Sequence, residues 1–583
     1  ANSDGTLGFY DALDDLASSG TKTSDGGNVT ITMSSQTINV GYDIDVDTAI
    51  DTPISVGITT ANSRGNYCTM NPLHGNLSLS EGNLRVTGSG SWGQHCGTIG
   101  ISSGKYYWEW EATGGVEHIV GVAPIDVQIS GNLGAGPTHR NGSGWGGEAG
   151  TLYGYGNQTF TAETWGRGDV IGLAFDATAG ELRFYKNGVA VNSGAAAFAG
   201  LTQRPYLPII SLNGSSFHGQ FNFGQKPFKY DPPTDYLSLC TENLVTPTIT
   251  KPSEQVGIVT WTGNGSTQQI DGYDFSPNMV WIKQSDGTDY HSLIDTIRGG
   301  TEVIFPSEAI DRETQSGAIT QFNSDGYNLG SWQAVNLDTK DFIGWAWNAG
   351  VSTSYDTSGS LTSAVSVNQD AGFSIAKYNY VGTGAQTVGH GLGVKPDVVW
   401  RKPIDLNEGW SVYSKTYNGN LGFTNRAYLD SDAIWTGTTT FNSADPTTSV
   451  NNINNSNTGI YVDYSFKAID GYSAFGTYQS TSLYPFVFTG FKARFVMIKR
   501  ATGGANNWVI YDTERNKFNK TQNRIYVDLN DVAIDSSSHY IDIVSNGFKI
   551  QSADGNLLNK HTSSHIYFYM AFAEHPLKYA RAH

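Results

Sequence analysis

The chain has 583 residues, with 35 basic and 53 acidic side chains for a net charge of −18, and 70 glycines. That acidic balance repels a phosphate backbone, and no stretch approaches the ~20 apolar residues that span a bilayer, so neither nucleic-acid binding nor membrane insertion is expected. Aromatics at 12 % and charged residues at only 15 % argue against disorder, while abundant glycine suits short strands and tight turns better than helices.

Residues 1–55 read as a separate attachment segment. Phe9, Leu13 and Leu16 fall at i, i+4, i+7 and predict a short amphipathic helix ended by Gly20. It is too short to persist alone, so its apolar face packs on its own domain or serves as an attachment or oligomerisation handle. The run Val29–Met33 reads as a strand. Asp43, Asp45 and Asp47 alternate but lack the glycine and distal glutamate of an EF-hand, which favours a solvated strand face.

From 56 to 245 strand signals are dense. In Lys105–Glu111 the alternation places Tyr107, Glu109 and Glu111 on one face and Trp108 and Trp110 on the other. Apolar runs follow at 119–123, 168–176, 181–189, 206–212 and 219–224, and Asn187-Gly188 is a hairpin turn signal. Many short strands with turn punctuation predict a two-sheet antiparallel sandwich. The stretches GKYYWEWEA, IVGVA, GDVIGLAFDATAGELRFYKNGV, YLPIISLNG and FNFGQKPFKY occur in the order of SPRY domains, and this segment resembles that family. The resemblance implies a bent, concanavalin-like sandwich that recognises proteins through loops at one edge and carries no catalytic residues.

Beyond 246 a pattern recurs three times. Val280-Trp281-Ile282-Lys283, Val399-Trp400-Arg401-Lys402 and Val496-Met497-Ile498-Lys499 are followed, 13, 14 and 14 residues after the lysine, by Thr296, Thr416 and Thr513. A third mark is Phe322-Asn323-Ser324, Phe441-Asn442-Ser443 and Val544-Ser545-Asn546. A closing mark is Trp345-Ala346-Trp347, Tyr464-Ser465-Phe466 and Ala571-Phe572-Ala573. Ordered marks at near-constant spacing predict three related β-sandwich-type units, at 246–350, 351–478 and 479–583. The expected fold is therefore all-β, a SPRY-like sandwich followed by three related units.

This organisation, with its YFYMAFAEHPLKYARAH tail, NYCTMNPL before the SPRY-like region and LCTENL after it, resembles tail-fibre-like structural proteins of tailed bacteriophages. The resemblance implies a virion component assembled in the host cytoplasm. Its partners would be other virion proteins and a host cell-surface protein or glycan, and it would be a homo-oligomer, with a trimer favoured because one chain of a slender rod cannot cover all its apolar edges. In that reducing setting Cys68 and Cys240, which bracket the sandwich, are expected as free thiols. A protein decorating the capsid or tail is the alternative.

The chemistry-bearing residues are sparse. Glu109 and Glu111 would project on one side of a strand about 6.5–7 Å apart, near the separation used in glycoside hydrolysis, which makes a glycan-degrading enzyme a further alternative. SPRY strands match that stretch better. No HExxH, paired CxxC, EF-hand loop, GxSxG elbow or GK[ST] phosphate loop appears, so no metal, cofactor or enzymatic activity is expected. The polar, glycine-rich loop from Gly131 to Gln158 is the expected recognition element, through His139, Arg140, Trp145, Tyr153 and Tyr155.

Overall fold

The computed structural model is nearly all β. It describes residues 65–579 apart from 128–142, 148–149, 155–162, 202–204, 383, 418–419, 442–443, 456, 482–483, 552–556 and 560–563, together with strand residues 21–24, 28–33 and 36–41. Thr21–Ser24, Asn28–Met33 and Gln36–Gly41 form an antiparallel meander containing the strand predicted at 29–33. Phe9, Leu13 and Leu16, with their expected helix, lie outside the described residues. Among the described residues no helix is long and apolar enough to cross a membrane.

Residues 65–245 fold into the expected sandwich. One sheet runs in the order Leu152–Gly154, Ser143–Gly146, His118–Pro124, Tyr206–Leu212, Gly93–Gly97, Met70–Gly75. The other is centred on Lys105–Gly114, flanked by Val170–Asp176 and His218–Asn222. Trp108 and Trp110 point between the sheets, where they pack with Trp145, Trp165, Phe221 and Phe223. The predicted turn is a two-residue hairpin: Asn187 and Gly188 take φ of 50° and 79°, and Lys186 pairs with Val189. The first and last segments adjoin, with the Cys68 N–H donating to the Leu239 carbonyl at 2.9 Å. All three cysteines are buried and no disulfide joins them.

The rest of the chain builds three sheets with one shared strand order. An opening strand (Val256–Thr262, Phe373–Tyr380 or Ser473–Gln479) pairs with a closing strand (Asp341–Trp347, Gly459–Phe466 or Ile566–Pro576). The closing strand pairs with a second (Met279–Gln284, Val398–Pro403 or Phe491–Arg500), and this with a third (Ser292–Asp295, Ser411–Ser414 or Val509–Asp512). Two sequence boundaries shift. Ser473–Gln479, which ends where the third unit was expected to begin, lies in the third sheet. Register sets Trp281 opposite Trp345, Trp400 opposite Tyr464 and Met497 opposite Met570, so the third closing mark is Met570-Ala571-Phe572, one residue earlier than expected.

The three sheets turn one face towards a common apolar centre. Trp281, Trp345, Trp347, Trp400, Tyr464, Phe466, Met497, Met570 and Phe572 belong to one continuous buried cluster. The Trp281 ring meets Trp400 edge-on at 6.0 Å, and Phe572 lies 5.7 Å from Trp347 and 6.2 Å from Phe466. Around this centre the contacts repeat cyclically. At the start of each third strand a ring N–H donates to a backbone carbonyl of a neighbouring unit: His291 Nε2 to Tyr526 at 2.9 Å, Trp410 Nε1 to Phe305 at 2.7 Å, and Trp508 Nε1 to Tyr428 at 2.8 Å. Loop backbones follow suit, with Arg312 N–H on Ile404, Asn506 N–H on Asp432 and Ala533 N–H on Ser285. The apolar faces that meet at this centre are covered within one chain.

The three recurring lysine marks are buried and spend their ammonium protons on carbonyls. Lys283 donates to Gln284 and Gly287, Lys402 to Glu408, and Lys499 to Asp432 and Asn506. Burial lowers each to about 8.

The sandwich sits on the third unit. Phe486 and Phe488 cover Cys96, Ile119, Ala123, Leu207 and Ile209 on its outer face. Lys549 Nζ donates to the Leu73 carbonyl at 2.8 Å, Asn546 Nδ2 to Thr98 at 2.9 Å, and Lys578 Nζ to Glu242 and Leu244 at 2.7 and 2.6 Å.

Two predictions test the cyclic ring. Trp508→Phe keeps the apolar ring but leaves the Tyr428 carbonyl without that donor, and is expected to cost about 1–3 kcal/mol in urea unfolding. His291 is held neutral: Trp281 Nε1 donates to its Nδ1 at 3.0 Å, and burial, then the Lys283 charge, lowers it from 6.5 to about 3. Between pH 6.5 and 3 the unfolded chain holds the extra proton, so stability falls as pH falls through that window, by about 1.4 kcal/mol per unit of separation between the two pKa values. His291→Gln is expected to lower stability at pH 7 yet flatten its decline between pH 6.5 and 4, read from urea midpoints across that range.

Candidate recognition sites

Glu109 and Glu111 share a strand face, as the alternation predicts, but their surroundings differ. Glu109 is 3 % exposed, and both its oxygens accept backbone N–H groups, Oε2 from Lys229 and Oε1 from Tyr230, each at 2.9 Å. The Tyr107 hydroxyl also donates to it at 3.3 Å, and burial followed by the Glu109 charge raises that phenol's pKa. Glu111 pairs with Lys229 Nζ at 3.4 Å. The pair therefore clamps the 227–230 segment across the sheet. Both Glu109 oxygens are thus engaged by donors of the fold itself.

The expected recognition loop needs correction at Trp145. This residue lies on the strand Ser143–Gly146, opposite Val120, and is 0 % exposed. Its ring packs 5.6 Å from Phe184 and 5.8 Å from Trp165. Pairing with an inner strand turns it into the core, out of reach of a ligand. Tyr153 is half-buried beside the apolar patch that Phe486 and Phe488 cover. His139, Arg140 and Tyr155 lie outside the described residues. Asp126 and Val127, just before the loop, line a crevice with Tyr478 and Phe486 of the third unit. The stem of the expected loop thus opens at the junction between the sandwich and the third unit.

The strand His118–Pro124 runs about 20 Å from that junction to the opposite rim. This rim comprises the turns around Gly115, Arg167 and Gly214. Val116 is 44 % exposed, and Arg167, Ser215 and Ser216 are also exposed. Glycine is required at its centre: Gly115 has φ +77°, and a Cβ there would meet the Phe217 ring at 1.7 Å. Beneath it His118 donates from Nε2 to the Gly114 carbonyl at 2.7 Å, and burial lowers its pKa to about 4. Arg85 reaches His218 Nδ1 at 3.0 Å, and Asn213 Nδ2 donates to Glu117 at 2.9 Å. The outcome is an apolar residue with two arginines nearby, on turns braced from below by Trp110, Trp165 and Phe217 around His118. Sequence reasoning passed over this rim because its turns are short and lack tyrosine or exposed tryptophan. The paired glycines Gly114-Gly115 and the Asn213-Gly214 turn were its available signals.

Comparison with known proteins divides the chain at the same place. Residues 105–226 match the SPRY domain model, and residues 251–576 match the model of a domain of unknown function, DUF7483. Among curated proteins, the chain is 40 % identical over 72 residues to the E3 ubiquitin-protein ligase RKP of Arabidopsis thaliana, covering 12 % of this chain and 5 % of that protein. It is 32 % identical over 146 residues to the ATP-dependent RNA helicase Ddx1 of Drosophila melanogaster, covering 24 % and 19 %. The chain therefore spans a minor part of either relative. Among solved structures, the SPRY domain of human HERC1 is 24 % identical, with 27 % of this chain and 99 % of that chain covered at a TM-score of 0.24. The TRIM65 PSpry domain is 21 % identical over 28 % and 94 %, at 0.21. With more than half its length inside one family model, the chain belongs to the DUF7483 family, and it carries a SPRY domain ahead of that region.

Proposed function

We propose that this chain is a non-catalytic recognition protein of the tail-fibre type, a phage virion component that displays its SPRY domain to the host surface. The observation that carries the reading is the mounting of that domain. One sheet face is sealed on the third unit by Phe486, Phe488 and the Lys549, Asn546 and Lys578 hydrogen bonds, while the Val116–Arg167 rim lies at the far end. A base of three sheets closed on one apolar centre supplies a stiff support, and stiffness lowers the entropy lost on binding. The partner would be a host surface protein or glycan, with other virion proteins holding residues 1–55. Three related units within one chain and, at the level of the particle, a homo-oligomer belong to the same reading.

The test is adsorption of fluorescently labelled full chain to a panel of bacterial strains. Binding to at least one strain is expected, with a drop of more than tenfold in the Val116→Asp, Arg167→Glu double variant at an unchanged unfolding midpoint. Absence of binding to every strain, with the protein retained on particles, would replace this reading with capsid or tail decoration. Release of new reducing ends from envelope glycans, abolished by Glu109→Gln, would replace it with an enzyme.

A further inference from the structure

The second unit departs from its neighbours in the layer behind its sheet. Register aligns four positions there. Ile282 and Ile498 correspond to Arg401, Gly344 and Tyr569 to Asp463, and Ala346 and Ala571 to Ser465. Tyr327 and Phe548, inward on the small covering sheets, correspond to Asn451. In the first and third units this layer is one continuous apolar cluster. In the second it is split into two small ones, Leu361 to Tyr461 and Val399 to Phe441.

A polar seam divides them. Arg401 grips Asp463 with two bonds, at 2.8 and 2.7 Å, and Asn451 Nδ2 donates to Asp463 at 3.1 Å and to Ser465 at 2.9 Å. Replacing an apolar layer with a buried ion pair rarely adds stability, so the seam calls for another reason. Beside it lies a cavity of about 340 Å³ whose lining includes Arg426, Tyr413, Tyr461, Glu408, Asn457 and Ser411.

The lining has a division of labour. Arg401 is committed to Asp463, but no ion pair to a carboxylate is found for Arg426 among the described residues. Its guanidinium carbon lies over the Tyr428 ring, 4.6 Å from the centroid, with one weak contact to Ser411 Oγ at 3.5 Å. A guanidinium in the cavity lining without a carboxylate partner can take a planar anion on its fork. Glu408 accepts from Asn457 Nδ2, the Tyr461 hydroxyl donates to the Asn457 carbonyl, and the Tyr413 hydroxyl bonds Thr440. This side is thus a fixed polar wall whose carboxylate and hydroxyl oxygens keep acceptor capacity for sugar hydroxyls, and the volume suits one or two sugar rings.

We propose that this cavity binds an acidic sugar of the uronate type, its carboxylate on Arg426 and its hydroxyls on the Glu408–Asn457 side. The proposal rests on the recognition reading above and adds a second contact, about which the SPRY rim says nothing. The probes are glucuronate, glucose and inorganic phosphate, titrated calorimetrically into the full chain. Saturable glucuronate binding in the millimolar range or tighter is expected, with glucose at least tenfold weaker. Arg426→Gln should weaken glucuronate at least tenfold, and Arg426→Val, which copies Val303 of the first unit, should do the same, both with unchanged unfolding midpoints.

Absence of glucuronate binding, or equal binding by Arg426→Gln, would overturn the proposal. Phosphate bound as tightly as glucuronate would also overturn it, as a bare anion site. The Val116→Asp, Arg167→Glu variant should bind glucuronate normally, so failure of this site and failure of the rim are read separately.

Discussion

The architecture depends on three sheets sharing one apolar centre while each passes a ring N–H to a neighbour's backbone. A β-sheet of four strands has two faces to cover. Here one face meets the other two units around Trp281, Trp400 and Met497, and only the second face needs a cover of its own. Apolar contact alone is not directional. The donors at His291, Trp410 and Trp508 fix the angle, because each ring is buried and its N–H is held by the backbone of a neighbouring unit. Moving a unit by an ångström or two would break that bond in surroundings where water cannot replace it.

The cyclic pattern is kept with different chemistry at each corner. Asp295 pairs with Arg298 at 2.6 Å and accepts the Tyr464 hydroxyl at 2.6 Å from the second unit. Asp512 pairs with Arg515 and accepts Trp345 Nε1 at 3.3 Å from the first. The corresponding corner of the second unit has Ser414 in place of the aspartate, and Tyr417 packs on Phe568 from the third. Two corners are closed by a buried ion pair capped by a neighbour's aromatic donor, and one by aromatic contact. Cutting one partner from either ion pair would strand a charge, at about 3–5 kcal/mol, whereas the aromatic corner carries no such penalty.

Much of this was legible in the residues. Strict alternation put Trp108 and Trp110 on one face, which the structure turns inward, Asn187-Gly188 marked its hairpin, and the spacing of Lys283, Lys402 and Lys499 located the second strand of each sheet. The lysines stand out because a cation within an apolar strand is rare, and the fold keeps them for the carbonyls they bind. Trp145 was misread because its strand is four residues long, SGWG, set in a glycine-rich stretch whose composition signals a loop. Burial there comes from pairing with Val120, and pairing partners are not local in sequence. The third closing mark slipped by one residue for a related reason: in Met570-Ala571-Phe572-Ala573 the alternation fits either phase, and only the register with Met497 decides it.

The position of the SPRY domain follows from two side chains. The small sheet that covers each main sheet's second face has an edge strand whose inward residue, Ile270, Val388 or Val487, is flanked by two on the other side of the strand. In the first unit these are Gln269 and Asp271, both exposed, and in the second Thr387 and Gly389. In the third they are Phe486 and Phe488, which without the sandwich would present two aromatic rings to water. Burying two such side chains is worth roughly 3–6 kcal/mol, and the lysine and asparagine bonds around them set the orientation. A pair of outward phenylalanines on that edge strand is therefore what distinguishes the unit that carries a domain from the two that do not. Val487, between them, cannot serve, because it belongs to the unit's own core.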